Sequence, residues 1–301
     1  MDSIHVDYPS LHIFLCGGYY DSASQNITSM RSAFCQIIHS LPCQDYDLLI
    51  AEDVSKEFQA RQDTYDNLLS LESDLAQLSN IIILFSESFG SAVELGAFCW
   101  DENIPQRLLV FISEKYYEDT SFVKLGPLKH LEKKCSKVSV CVLPRKVCDL
   151  VSLNNKQSTE INNFQRYISE AFTDRIKSIE TRTTFNENYR GHIILFLCGI
   201  VWYYHALNKD EIWYIASECK VDIEEADVDK YMFCSIILGW VKIKTVASRD
   251  YYVSVCEKSP LSFKQKPANM IKKDAWKVDI LKVWEKHDRY RYDAIRSARQ
   301  S

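Results

Sequence analysis

Five short runs in the first half of the chain are apolar almost without a break. They are LHIFLCGG (11–18), DLLIAED (47–53), NIIILFSES (80–88), RLLVFISEK (107–115) and VSVCVLP (138–144), rich in β-branched residues and bounded by polar or turn residues. A strand with one face in water alternates apolar and polar side chains. A run that is apolar on both faces belongs to a strand covered on both, which is the condition of a parallel sheet. Helical patterns occupy the intervals at about 22–40, 55–79, 91–103 and 121–134. Strand and helix in alternation predict an α/β fold with a doubly wound parallel sheet.

The second half follows another grammar. After the polar stretch SLNNKQSTEINN (152–163) the pattern predicts a helix at about 160–180. RGHIILFLCGIVWYYHAL (190–207) reads as one long apolar helix, and NKDEIWYIASEC (208–219) as a second, with Asn208 as N-cap and Glu211 three residues on. DIEEADVDKYMFCSIILGW (222–240) gives a third helix ending near Gly239, and WVKIKTVASRDYYVSV (240–255) gives two alternating strands around a polar turn. Three helices and a hairpin is the order of a winged helix-turn-helix. DAWKVDILKVWEKHDRYRYDAIRSARQ (274–300) predicts a helical tail in which Trp276, Ile280 and Trp284 share one face. The predicted domains are 1–155 (α/β), 156–189 (connecting helix), 190–258 (mainly α, winged helix) and 259–301 (basic helical tail).

Charge is uneven. The net formal charge is −5, yet residues 261–301 carry 11 Lys and Arg against 5 Asp and Glu, so the remainder sums to −11. The 11 cysteines include no CxxC pair, which argues against a zinc site, and no metal is expected. Many sit in apolar runs, as small hydrophobes do in a reducing cytosol. MDSIHVDYPS has no basic leader region, and the apolar stretch from Ile193 to Leu207 is too short to cross a bilayer. The expectation is a soluble, cytoplasmic protein with no membrane association.

In an open parallel sheet, ligands gather beyond the carboxyl ends of the strands. Those ends hold Cys16-Gly17-Gly18-Tyr19-Tyr20-Asp21, then Glu52-Asp53, then Ser86-Glu87-Ser88-Phe89-Gly90-Ser91 with Glu94 just beyond, then Ser113-Glu114. Glycine, serine, aromatics and carboxylates suit a ligand that contains ribose: hydroxyls need acceptors and a base needs a flat surface. The amides of Gly17 and Gly18, or those following Gly90, suit phosphate. Neither GxGxxG nor a Walker lysine is present. Glu94 has a second reading, because Ser91-x-x-Glu94 also fits a capping box.

IFLCGG, the acidic helix leading into LSNIIILFSES, and GSAVELGAF together resemble the nucleoside 2-deoxyribosyltransferase-like fold. With the helix–helix–helix–wing order that follows, residues 10–255 are similar to the effector proteins of retron antiphage systems. The resemblance implies a toxic effector that cleaves an N-glycosidic bond of NAD or a related nucleotide. It maps the catalytic carboxylate onto Glu94, with Asp74 and Glu72 orienting it or binding ribose, and it places Gly17, Gly18, Tyr19, Ser88, Gly90 and Ser91 around the substrate. Cleavage builds positive charge on the sugar, which a neighbouring carboxylate stabilises or traps. Nicotinamide leaves NAD neutral, so no cofactor is implied beyond the nucleotide substrate. The transferases' acidic residue that assists the base has no clear counterpart, which disfavours deoxynucleoside transfer. The partners implied are a retron reverse transcriptase and its RNA–DNA product, msDNA, in a higher-order assembly.

The third helix of the winged module is acidic, with Asp222, Glu224, Glu225, Asp227 and Asp229 against Lys230. Phosphate would repel it. Basic charge lies instead on the wing (Lys242, Lys244) and the tail (Lys272, Lys273, Lys277, Arg289, Arg291), which are the residues expected to meet nucleic acid or a partner. Two alternatives stay open: a DNA-binding regulator that senses a nucleotide without cleaving it, and a nucleoside deoxyribosyltransferase.

Overall fold

The computed structural model describes residues 4–21, 23, 24, 26–61, 63–149, 159–180, 182–264 and 272–300. The boundary expected between residues 155 and 156 lies outside them. With helices of more than five residues numbered, the chain runs β1 (Ile4–Asp7), β2 (His12–Cys16), α1 (Met30–Ile37), β3 (Asp47–Ile50), α2 (Ala51–Ala60), α3 (Leu68–Leu78), β4 (Ile81–Phe85), α4 (Phe89–Trp100), β5 (Leu108–Ser113), α5 (Lys129–Cys135), β6 (Val140–Leu143) and α6 (Thr159–Ile176). It continues through β7 (Arg182–Thr184), α7 (Arg190–Tyr204), β8 (Ala206–Leu207), α8 (Lys209–Glu218), α9 (Glu225–Ile237), β9 (Val241–Val246), β10 (Arg249–Ser254), β11 (Leu261–Phe263), α10 (Lys273–His287) and α11 (Arg289–Gln300).

Two compact units form. One comprises residues 11–53 and 79–180, the other residues 1–10, 54–78 and 181–301. The sequence reading lays its domains end to end; the units interleave instead. The difference arises because β1 and α3, early in the chain, find their partners among late elements.

The first unit is the expected parallel sheet, with strands in the order β3-β2-β4-β5-β6. All five residues of β2 and of β4, and all six of β5, are buried. Ile13, Leu15, Ile81, Ile83, Phe85, Leu109 and Phe111 form one face of a core closed by Met30, Ala33 and Phe34 of α1 and by Ile161, Phe164, Ile168 and Phe172 of α6. Arg175 fastens the end of α6 to the start of β5, donating from Nε to the Leu108 carbonyl at 3.1 Å and from Nη2 to Pro105 at 2.9 Å. The alternate residue Phe14 points to the other face and meets Phe98 of α4, ring centroids 6.0 Å apart. The chain leaves β2 for β3 on one side and then places β4 on the other. The crevice between the β2 and β4 ends is therefore the topological switch point, where such sheets bind ligands.

In the second unit, α7 is buried all round from Gly191 to Trp202, as expected of a wholly apolar helix inside a core. A Cβ at Gly199 would lie 2.3 Å from Leu261 Cγ, so the close approach there requires glycine. Asn208 and Glu211 close the expected capping box on α8. β9 and β10 pair as a hairpin around Ala247 and Ser248, both in the left-handed region at φ 50° and 61°, and β8 adds to β10. The order α7, α8, α9, hairpin matches the expected order. A second small sheet, β11-β1-β7, has no counterpart in the sequence reading.

The tail does not lie outside the cores. Ala294, Ile295 and Ala298 of α11 form a buried cluster with Ala206, Tyr251 and Val253. The expected Trp276–Ile280–Trp284 face is half-buried, and Trp284 Nε1 donates to the Tyr204 carbonyl at 2.8 Å. One helix was expected; Asp288, at φ −140°, divides it into α10 and α11. Among the described residues no helix is long and apolar enough to cross a membrane.

Candidate active site

The site is built on the first turns of α4. Ser88 is the N-cap, and its side chain accepts from the Ser91 amide at 3.1 Å. Ser91 Oγ reciprocates, accepting from the Ser88 amide at 3.0 Å. The capping box is thus Ser88 with Ser91, one turn earlier than Ser91 with Glu94. Glu94 lies in the second turn and has no part in capping.

Strand and helix repeats then aim Glu94. Residues i and i+4 stack on one helix face, and i and i+2 line one strand face. Phe98 of α4 packs on Phe14 of β2. One helical turn back and two strand residues on, Glu94 meets Cys16, whose thiol hydrogen-bonds the carboxyl. Cys16 is fully buried and Glu94 is half-buried. Burial pushes the Glu94 carboxyl up to about 7, with the Arg31 guanidinium opposing the rise and the Glu52 carboxylate adding to it. Glu94 Oε2 is buried and accepts no hydrogen bond. Groups that burial shifts toward neutrality cluster at functional sites.

Arg31, which the sequence reading did not single out, is 1% exposed at the start of α1. Its Nη1 donates to Glu52 Oε2 at 2.6 Å and its Nη2 forms a second bond to Oε1 of the same carboxylate. Nε is buried without a partner. Glu87 is committed to the backbone. Its Oε1 accepts from the Gly18 amide at 2.9 Å and the Arg31 amide at 3.1 Å, and its Oε2 from the Met30 amide at 2.7 Å. One carboxylate thereby ties the β2 turn to the first turn of α1.

Gly17 and Gly18 are present because neighbouring side chains come close. A Cβ on Gly17 would lie 2.8 Å from Arg31 Cβ, and one on Gly18 would lie 2.9 Å from Ser29 Cβ and 3.0 Å from Glu87 Cδ. Gly18→Ala is expected to destabilise this unit by about 1–3 kcal/mol through overpacking, read as a lowered denaturation midpoint. Tyr19 is 68% exposed, with its carbonyl held by Ser29 Oγ at 2.7 Å. Gly90 is exposed at the second position of α4. Glu94, Gly17, Gly18, Tyr19, Ser88, Gly90 and Ser91 thus belong to one unit and to its β2 and β4 strand ends.

Asp74 and Glu72 belong to the other unit, on α3. Asp74 is fully buried and serves that unit's core: Tyr65 Oη donates to Oδ2 at 2.8 Å, and Arg190 Nε lies 3.2 Å from Oδ1. The role expected for it beside Glu94 has no support in its surroundings, because its oxygens already hold internal partners.

The basic residues divide. Arg291 is 4% exposed, donating from Nε to Asp288 at 3.0 Å and from Nη2 to Glu211 at 2.5 Å, with its guanidinium 4.1 Å from the Trp284 ring centroid. It is a core residue and not a surface cation, because Glu211 and Asp288 neutralise it in place. Lys277 Nζ lies 3.5 Å from the Trp202 ring centroid, and burial lowers its ammonium to about 8. Lys273 donates to the Leu261 carbonyl at 2.9 Å. Lys242 and Lys244 are half-buried on β9, whereas Lys272 and Arg289 are exposed.

The chain is similar to known proteins. The family model described as "STM3845 retron effector protein" matches residues 27–243. Two curated Escherichia coli proteins are similar to the chain. The "Retron Ec86 putative ribosyltransferase/DNA-binding protein" is 40% identical over 125 residues, covering 42% of this chain and 38% of that protein. The "Retron Ec73 putative ribosyltransferase/DNA-binding protein" is 28% identical over 123 residues, covering 40% and 38%. The matched region spans 38% of the length of each relative.

Proposed function

Because the chain belongs to the STM3845 retron effector family, we propose that it is a nucleotide N-glycosidase of an antiphage system, with Glu94 as its catalytic carboxylate. The observation that carries this reading is the position of Glu94: beyond the cap, at the switch point of the sheet, with a buried oxygen that accepts no hydrogen bond. The fold expected for the Glu94 unit is the nucleoside deoxyribosyltransferase-like one. The names of the two curated relatives, which speak of ribosyl transfer, point the same way.

In the proposed reaction a Glu94 oxygen attacks the anomeric carbon of the ribose while the bond from that carbon to the base nitrogen breaks. With NAD the electron pair of that bond neutralises the pyridinium, and nicotinamide departs uncharged. Water then hydrolyses the glycosyl ester, returning the carboxylate and releasing the sugar. The attacking form is ionised. Below pH 7 the rate is expected to fall about tenfold per unit, and above pH 7 to level off. A pH profile of kcat/KM that stays flat to pH 5 removes Glu94 from this role. Stability follows the opposite course. The folded carboxyl holds its proton to about 7 and the unfolded one releases it near 4.5. The contribution of Glu94 to stability is therefore lost as pH rises between these values.

The remaining unit is proposed as a winged helix that docks a reverse transcriptase and its RNA–DNA product. Its third helix, α9, is a poor reader of a major groove. Asp227 pairs with Lys230 at 3.8 Å, and Asp229 accepts from Tyr252 Oη at 2.5 Å. Exposed Lys272 and Arg289 are the better contacts. Reversing both to glutamate is expected to weaken nucleic-acid binding and flatten its salt dependence, measured as log Kd against log salt. The purified full chain, alone and with such partners, incubated with NAD and other nucleotides and assayed for released base, tests the central proposal. No released base under any condition defeats it.

A further inference from the structure

Helix α4 presents an apolar face to solvent. Its exposed residues are Phe89, Gly90, Val93, Gly96 and Trp100, and none of them carries charge. A helix that is apolar all round belongs inside a core, yet Phe89 is 97% exposed, Val93 73% and Trp100 71%. The face continues beyond the helix. The Trp100 ring meets His130 of α5 with centroids 4.3 Å apart. Phe122, 85% exposed, lies over Gly126, where a Cβ would stand 3.6 Å from the Phe122 ring. All of these residues belong to the Glu94 unit.

Gly96 adds a second observation. Glycine inside a helix is less stable than alanine, and packing within this chain does not ask for it: a Cβ at Gly96 would meet nothing within 4 Å among the described residues. Such a glycine fits a surface that another molecule approaches closely. Phe89, Val93, Gly96 and Trp100 recur at spacings of four, three and four, which is the seam of a helix pair. A two-fold axis between Glu94 and Leu95 makes this seam its own complement. It sets Phe89 against the partner's Trp100 and Val93 against the partner's Gly96. Large side chains meet at the ends, and valine enters the hollow that glycine leaves.

We propose that this face pairs two copies of the chain through an antiparallel α4–α4 contact. A two-fold interface requires one patch to fit itself, and the large–small–large order of the seam does so. An uncharged face offers nothing to a polyanion, whose binding rests on Lys and Arg. Three aromatic side chains of about 150–250 Å² each, mostly exposed, give about 500 Å² of apolar surface per copy. Val93 and the exposed Leu125 enlarge the patch toward the roughly 800 Å² per partner that a stable pair buries. Pairing is independent of the chemistry at Glu94.

Sedimentation velocity of the full chain over the micromolar range tests this, and a two-copy species is expected. Val93→Glu, which sets a charge in the seam of each copy, is expected to weaken pairing about thirtyfold or more, the loss typical of a central interface residue. Gly96→Leu is expected to keep or raise the thermal midpoint, because leucine favours helix over glycine, and to weaken pairing about tenfold by overfilling the hollow. A glycine with a role only inside its own chain would give the reverse: a lower midpoint and unchanged pairing. Val93→Glu chains mixed with Gly96→Lys chains are expected to recover the pair that neither forms alone, since the two new charges then face each other in one layer. A single-copy species throughout the micromolar range overturns the inference. So does a pair indifferent to Val93→Glu and Gly96→Leu, or a failure to recover on mixing.

Discussion

Glu94→Gln is expected to abolish nucleotide cleavage, lowering kcat by about a thousandfold or more, as losses of single nucleophiles do, while the protein stays folded. The amide preserves size but cannot carry the negative charge that a sugar cation needs. Capping does not complicate the result, since Ser88 and Ser91 close the start of α4 without Glu94. At pH 8 the variant is expected to be as stable as the unaltered chain or more so, because a half-buried charge with no bond to Oε2 is replaced by a neutral group. Released base and thermal denaturation, measured on the same preparation, check both halves. Full activity in a folded variant would make Glu94 a bystander.

Arg291→Ala is expected to destabilise the unit built from residues 1–10, 54–78 and 181–301. The guanidinium bridges Asp288 and Glu211 and lies beside the Trp284 ring. Removing one member of such a buried set costs about 3 kcal/mol, at the low end because Glu211 is a third exposed. That corresponds to a fall of about 10 °C in the transition of a unit of this size. Arg291→Lys is expected to recover only part of it, since an ammonium cannot span two carboxylates in one plane. Truncation before α11 is expected to be worse, uncovering Tyr251 and Val253. A truncated chain with an unaltered transition would contradict the packing of α11.

Much of the parallel sheet was legible because its strands are apolar on both faces, a pattern few other structures produce. The hairpin and the α8 cap were legible because their signals are local: alternation around a turn, and Asn208 with Glu211. What stayed hidden depended on distant partners or on competing local choices. Ser88 and Ser91 make a capping box with serine at the third helical position, where glutamate is the usual signal, so the helix start read one turn late. β1, β7 and β11 are three or four residues long, and their pairing matches His5 with Thr184 and Val6 with Leu261, which no local pattern announces. Arg31 carries no motif; its importance comes from Glu52 and Glu94 being folded around it. Arg291 sits in a run that is basic as a whole, and only its two acidic partners reveal it as a core residue.

The place of β1 between β7 and β11 has a consequence for the order in which the protein is made. A ribosome makes β1 long before Leu261–Phe263. Everything in the Glu94 unit has emerged by residue 180. β7 follows at residues 182–184 and covers one edge of β1, but until β11 is made the other edge offers a bare row of peptide N–H and C=O groups, the kind of edge that recruits stray strands. Synthesis therefore finishes the unit that carries Glu94 before the unit that holds β1. A translation arrest between residues 184 and 261 leaves a half-made molecule whose bare β1 edge exposes it to aggregation and proteolysis.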